Sequence, residues 1–166
     1  MADLSRLAGR NFVIVGRAGM DFYPHPPGTK TEHATQFFSC LGGSSANIGV
    51  SIVKFGGRAD LVTCVSDDAI GRFALNELDR YWIGRAHVRS VGGEARNSLA
   101  VVETTIEDHQ SVIYRNGAAD FEMSMEDVEA VDYGAYSALI TTGTVFAAEP
   151  SRSAAFRAFD LAREAG

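Results

Sequence analysis

Residues 40–57 read CLGGSSANIGVSIVKFGG. Two glycines lead into two hydroxyls and an asparagine, and the apolar run that follows stops at a second glycine pair. A strand-to-helix turn alone accounts for this pattern, with Gly42 and Gly43 in left-handed backbone, Ser44 or Ser45 as cap and Asn47 inside the first turn. The same residues can also bind. Glycines let a ligand approach the main chain, and free N–H groups at a helix start attract oxygen-rich ligands. Asn47 adds both a donor and an acceptor one helical turn in, which suits the hydroxyls of a sugar.

A second candidate is GRAGMD, Gly16–Asp21, just past an apolar run. In open α/β sheets, ligands bind outside the carboxyl ends of the strands, where this loop falls. It lacks GxGxxG spacing and runs into prolines rather than a helix, so it is no dinucleotide fingerprint. No GxxxxGK(S/T) phosphate loop occurs either. Asp21 serves equally as a turn former or, beside GGSSAN, as an acceptor for two neighbouring hydroxyls. A third candidate is Arg115 in IYRNGAAD, a solvated strand end unless the strand covers a ligand crevice. In that case its guanidinium can fork onto a carboxylate or phosphate.

Composition limits the classes. At 166 residues, 46% hydrophobic and 22% charged, the chain can bury a core of its own. A net charge of −6 without any Lys/Arg cluster argues against a nucleic-acid partner. The N-terminal MADLSRLAGRNFVIVG has no signal-peptide pattern, and no apolar run reaches the roughly 18 residues a membrane span needs. Cys40 and Cys64 form no CxxC and read as reduced packing residues of a cytoplasmic protein. His25, His33, His87 and His109 show no ligand spacing and read as surface residues, so no metal site is expected.

The elements that must position these residues follow from periodicity. Asn11–Val15, NFVIV, reads as a buried strand. DFYPHPPGTKTE, with three of the four prolines, is a non-helical excursion. Thr35–Leu41 suits a strand and Ser44–Phe55 a helix ended by Gly56 or Gly57. Arg58–Val65 returns to strand, and Asp67 or Asp68 can cap a helix with Ile70, Phe73, Ala74, Leu78 and Tyr81 on one face. This alternation predicts a layered α/β domain with a parallel sheet. Ser98–Ile106 and Gln110–Tyr114 flank the polar turn Glu107-Asp108-His109, a hairpin of a small separate sheet. A helical turn near Ser124–Val131, a strand at Ala138–Thr142 and a helix at Ser151–Glu164 close the sequence. A crossover helix normally delivers another strand, so the order suggests the first part of a longer α/β protein.

Taken together, GGSSANIGVSIVKFGGRADLVTCVSDDAIGRFALNELDRYWI resembles the first signature of the ribokinase-like (PfkB) carbohydrate kinases. The glycine pair, the asparagine four residues after its second glycine, the FGG break and the VxDDxxGRF run occur in order, and the likeness covers nearly the whole chain. GRAGMDFYP and IYRNGAAD further resemble the sugar-acid branch, 5-dehydro-2-deoxygluconokinases of inositol breakdown first and 2-dehydro-3-deoxygluconate kinases next. The resemblance implies a three-layer α/β/α fold with a small β-sheet lid, lid segments near 18–41 and 93–117, and lid-mediated homodimers. It implies ATP- and Mg²⁺-dependent phosphorylation of a hydroxymethyl group, with residues matching Asp21, Gly42, Gly43 and Asn47 around the sugar and Arg115 reaching it from the lid. The family's second signature, a DTxGAGD-type run, does not occur. Residues 1–166 are therefore expected to be the substrate-binding N-terminal portion, without a catalytic residue or nucleotide-binding half and inactive alone. A kinase for a neutral sugar such as fructose and a non-catalytic sugar-binding module are the alternatives.

Overall fold

The computed structural model describes residues 4–166, so the first three residues of the N-terminal stretch lie outside it. β1 (Asn11–Val15) is followed by β2 (Gly19–His25), β3 (Gln36–Gly42), α1 (Ser44–Lys54), β4 (Arg58–Ser66), α2 (Ala69–Arg80) and β5 (Gly84–Val91). Next come β6 (Leu99–Val102), β7 (Ser111–Tyr114), the short α3 (Met125–Glu129), β8 (Ala138–Thr141) and α4 (Ser151–Ala165).

Four of these strands form a parallel sheet in the order β5-β4-β1-β8. Successive side chains of a strand point to opposite faces. Phe12 and Ile14 of β1 therefore pack with Leu61, Ala46, Ile52 and Leu78, under α1 and α2. Val13 and Val15 pack with Val62, Cys64, Val128 and Ala154, under α3 and α4. Each such aliphatic side chain contributes about 1.5–3 kcal/mol on full burial, which explains why NFVIV is an unbroken apolar run. The chain steps from β1 to β4 to β5 in one direction, then returns to place β8 on the other side of β1. That reversal opens a crevice at the carboxyl ends of β1 and β8, the usual ligand position in such sheets.

The other four strands form a smaller sheet, β3-β2-β6-β7. β2 runs antiparallel to β3 and parallel to β6, and β6 pairs antiparallel with β7. The hairpin expectation holds for β6 and β7, with a longer connection than the three-residue turn foreseen. Glu103 fixes that connection by accepting N–H bonds from Thr31 (2.8 Å) and Gln110 (3.1 Å).

Several local expectations are corrected. α1 is capped by Gly43 (φ +97°) without any side-chain cap, because the Ser44 and Ser45 hydroxyls are bonded to Thr142 Oγ1 at 3.0 and 3.1 Å. Its far end follows the expected glycine stop: Gly56 N–H donates to Val53 O and Gly57 N–H to Ile52 O, each at 3.0 Å. Asp68 is the residue that caps α2, accepting from Ile70 and Gly71 N–H. The proline-rich excursion begins as strand β2. Pro24 fits there because β6 pairs only with Met20–Phe22, leaving β2 an edge at the proline. β5 (GRAHVRSV) was not foreseen, since this sheet-edge strand is largely exposed and polar. Cys64 is buried as expected, whereas Cys40 is exposed on β3; both are free thiols. His33 and His109 are exposed, while His25 and His87 are half-buried.

Candidate functional site

The main chain at the crevice is tied together tightly. Ala46 N–H, in the first turn of α1, donates to Arg17 O at 3.3 Å, which joins the helix start to the loop leaving β1. A Cβ on Gly43 would stand 3.0 Å from the Arg17 carbonyl carbon and closer still to its oxygen. Position 43 thus requires glycine for its φ and for this approach.

Gly42 is required for another reason. Its φ is not positive, but a Cβ there would stand 2.6 Å from Asp21 Cγ and closer to Oδ1. The Asp21 carboxyl therefore lies directly against the Cα of Gly42. Burial raises its pKa above the ordinary aspartate value, partly opposed by Arg17. The structure thus brings Asp21, Gly42 and Gly43 to one spot at the start of α1. Asn47 lies one turn on, where its N–H donates to Gly43 O (3.0 Å) and its side chain shares the exposed stripe of α1 with Ser44.

Arg115 sits differently. It follows β7, and its guanidinium pairs with Asp120 and lies over the Phe121 ring, 4.2 Å from the ring centroid. In the register of the smaller sheet, Cys40, Asp21, Ala100 and Ile113 form one row, so their side chains share a face. Ile113 and Arg115 line a cleft of about 470 Å³ together with Asn116, Phe121, Glu122 and Glu149. A second cleft, of about 380 Å³, lies along α2 between Arg72, Phe73, Asn76 and Arg85. It has none of the residues singled out from the sequence.

Two residues of this neighbourhood escaped the sequence reading. Arg17 is 8% exposed and lies among Asp120, Arg115 and Asp21. Asp120 is 6% exposed and holds Arg115. The available signal was a charged side chain set inside the apolar run NFVIVGRAG, directly after a buried strand. Thr142, just past the end of β8, gathers the hydroxyls of Ser44, Ser45 and Thr144. Among the described residues, no group of three or more His, Cys, Asp or Glu is placed to hold a metal ion, and no helix is long and apolar enough to cross a membrane.

Chain-wide comparison relates this protein to known ones. The chain is 33% identical over 151 residues to a 5-dehydro-2-deoxygluconokinase of Photobacterium profundum, covering 91% of this chain and 46% of that protein. It therefore spans about half the length of the curated relatives it matches. A Xylella fastidiosa fructokinase solved with bound ATP superposes with a TM-score of 0.82 at 20% identity, over 95% of this chain and 49% of that one. A 2-dehydro-3-deoxygluconokinase of Thermotoga maritima gives 0.81 at 20% identity, over 93% and 48%. These two likenesses show a common fold, the ribokinase-like one. Residues 10–166 match the family described as pfkB family carbohydrate kinase, and the chain belongs to that family.

Proposed function

We propose that these residues form the acceptor side of an ATP-dependent kinase that phosphorylates a hydroxymethyl group of a sugar acid, with 5-dehydro-2-deoxygluconate as the acceptor. The observation that carries this reading is the Asp21 carboxyl held against Gly42 at the start of α1, in the crevice at the ends of β1 and β8. Asp21 accepts hydrogen bonds from two sugar hydroxyls, the Gly42-Gly43 main chain lets the ring approach, and Asn47 binds a further hydroxyl. The names of the curated relatives favour the sugar acid over a neutral sugar such as fructose.

The smaller sheet, with the segments around it (18–41 and 93–117), acts as a lid. Closing it over the acceptor removes water, which competes for the phosphoryl group. Phosphoryl transfer depends on positioning and charge stabilisation around the γ-phosphate. The described residues hold no group of three or more His, Cys, Asp or Glu for Mg²⁺, and the sequence has no phosphate loop. The nucleotide, its cation and the catalytic base belong to residues beyond these 166, and the chain alone is inactive. Exposed Phe37, Phe38, Val112, Ile113 and Tyr114 on the lid sheet favour a homodimer through that sheet. A cytoplasmic place in inositol breakdown fits this acceptor.

A coupled ADP-release assay with 5-dehydro-2-deoxygluconate and with fructose tests the reading. No turnover by the 166 residues alone is expected, together with calorimetric binding of the acid in preference to fructose. Turnover by these residues alone, or a preference for fructose, refutes it.

A further inference from the structure

Arg17 is the group in the crevice whose chemistry the fold leaves unfinished. Its backbone is pinned, since its carbonyl accepts from Ala46 N–H and abuts Gly43. Its side chain is 8% exposed, its Nε is buried without a hydrogen-bond partner, and no ion pair reaches it among the described residues. A guanidinium stays charged under all ordinary conditions. Burying a charge is costly unless hydrogen bonds and a counter-ion compensate.

The nearby carboxylates do not supply that compensation. Asp120 commits one oxygen to Arg115, and its other oxygen, Oδ1, is buried without a partner. The Asp21 carboxyl lies against Gly42 and attracts Arg17 across the crevice without pairing with it. Arg115, a second cation facing Arg17, also has a buried Nε without a partner. Two guanidinium groups thus stand within electrostatic reach of each other, each with a buried Nε left unpaired, and an oxyanion reaching them would satisfy those donors, beside the carboxyl assigned to the hydroxyls. An Arg fork on a carboxylate makes two parallel, charge-assisted hydrogen bonds.

We infer that Arg17 binds the carboxylate of the acceptor and is the residue that selects sugar acids over neutral sugars. This deepens the proposed function and rests on it. The shared chemistry is an oxyanion, which a phosphoryl oxygen of ATP could also provide. The acceptor's carboxylate is assigned because two of Arg17's three charged neighbours, Asp21 and Arg115, belong to the smaller sheet and its edge. If Arg17 were instead a structural counter-ion for Asp21 and Asp120, removing its charge would destabilise the fold.

The experiment compares wild-type protein with Arg17→Met and Arg17→Lys by thermal melting and calorimetry, using 5-dehydro-2-deoxygluconate, fructose and MgATP separately as probes. Arg17→Met is expected to melt about 2–4 °C higher without ligand, since an uncompensated buried charge is gone. Its preference for the acid over fructose should fall roughly 10- to 100-fold, with partial recovery in Arg17→Lys. Arg17→Met with an unchanged acid preference, or a lower melting temperature together with that preference, overturns the inference while leaving the proposed function standing. MgATP is expected not to bind these residues; MgATP binding by the wild-type protein that Arg17→Met abolishes overturns the assignment to the acceptor. Wild-type protein that binds neither sugar overturns the proposed function and this inference with it.

Discussion

Gly42→Ala separates binding from folding in an unusually clean way. The φ of Gly42 is not in the left-handed region, so alanine meets no backbone penalty there. What it meets is Asp21: the new Cβ would stand 2.6 Å from Cγ, against the 3.4–4 Å of ordinary contact. The carboxyl must retreat by about 1 Å, and turning Asp21 partly off its rotamer costs about 0.5–1.5 kcal/mol. For a chain of this length that lowers the melting temperature by about 2–5 °C. The displaced carboxylate no longer meets the acceptor hydroxyls, and a hydrogen bond to a charged group is worth about 1.5–3 kcal/mol. Acceptor affinity should therefore fall roughly 10- to 150-fold. Gly43→Ala is the contrast, since there the obstacle is the Arg17 carbonyl and φ is +97°. Its cost falls on stability, about 2–5 kcal/mol. Differential scanning fluorimetry and calorimetry with 5-dehydro-2-deoxygluconate read both quantities. A folded Gly42→Ala protein with wild-type affinity refutes the role given to Asp21.

Four further outcomes follow from the structure. Asp21→Asn should weaken acceptor binding roughly 10- to 100-fold with no loss of melting temperature, as burial already disfavours the charged form of this residue. Because burial raises the Asp21 pKa above 3.8, the folded state holds that proton more tightly than the unfolded chain does. Its contribution to stability is therefore present at low pH and lost as pH rises through the raised value, whereas acceptor binding is lost as pH falls through it; calorimetry across pH reads the second effect. Glu103 moves oppositely: N–H bonds, from Thr31 first, hold it down to about 2 from an ordinary 4.5. The anchoring of the 26–33 and 103–110 loops should then be lost as pH falls from about 4.5 toward 2, seen as faster amide exchange at Thr31 and Gln110, and Glu103→Gln should show that exchange already at neutral pH. Of the two thiols, exposed Cys40 should react with a thiol reagent in the folded protein, while burial keeps Cys64 inert and pushes its pKa up to about 12. Since Cys40 is the cross-strand partner of Asp21, acceptor should slow its reaction; an unchanged rate speaks against closure of the lid sheet over the site.

How far the sequence could be read depended on what holds each element. β1, α1, β4 and α2 are governed by their own apolar period and terminating residues, so NFVIV, the Gly56-Gly57 stop and the Asp68 cap were legible. β5 is held by pairing to β4 at the sheet edge, and its Arg85, His87 and Arg89 carry no apolar period. β2 was hidden by Pro24, whose tolerance depends on where β6 stops pairing. Within the site, Gly42 and Asp21 were each visible as residue types, but their mutual contact follows from the β2–β3 register. That register also explains why Gly42 needs no left-handed backbone to be indispensable. Arg17 was overlooked because an arginine in a loop normally reaches water, and only the assembled crevice shows that this one does not.

The most direct measurement is a titration of ¹⁵N-labelled protein with 5-dehydro-2-deoxygluconate, followed through amide resonances. If the turn at the start of α1 holds the acceptor, saturable shifts gather at Arg17, Asp21, Gly42, Gly43 and Asn47. Shifts gathered instead around Arg72 and Arg85 on α2, with the glycine pair silent, would contradict it.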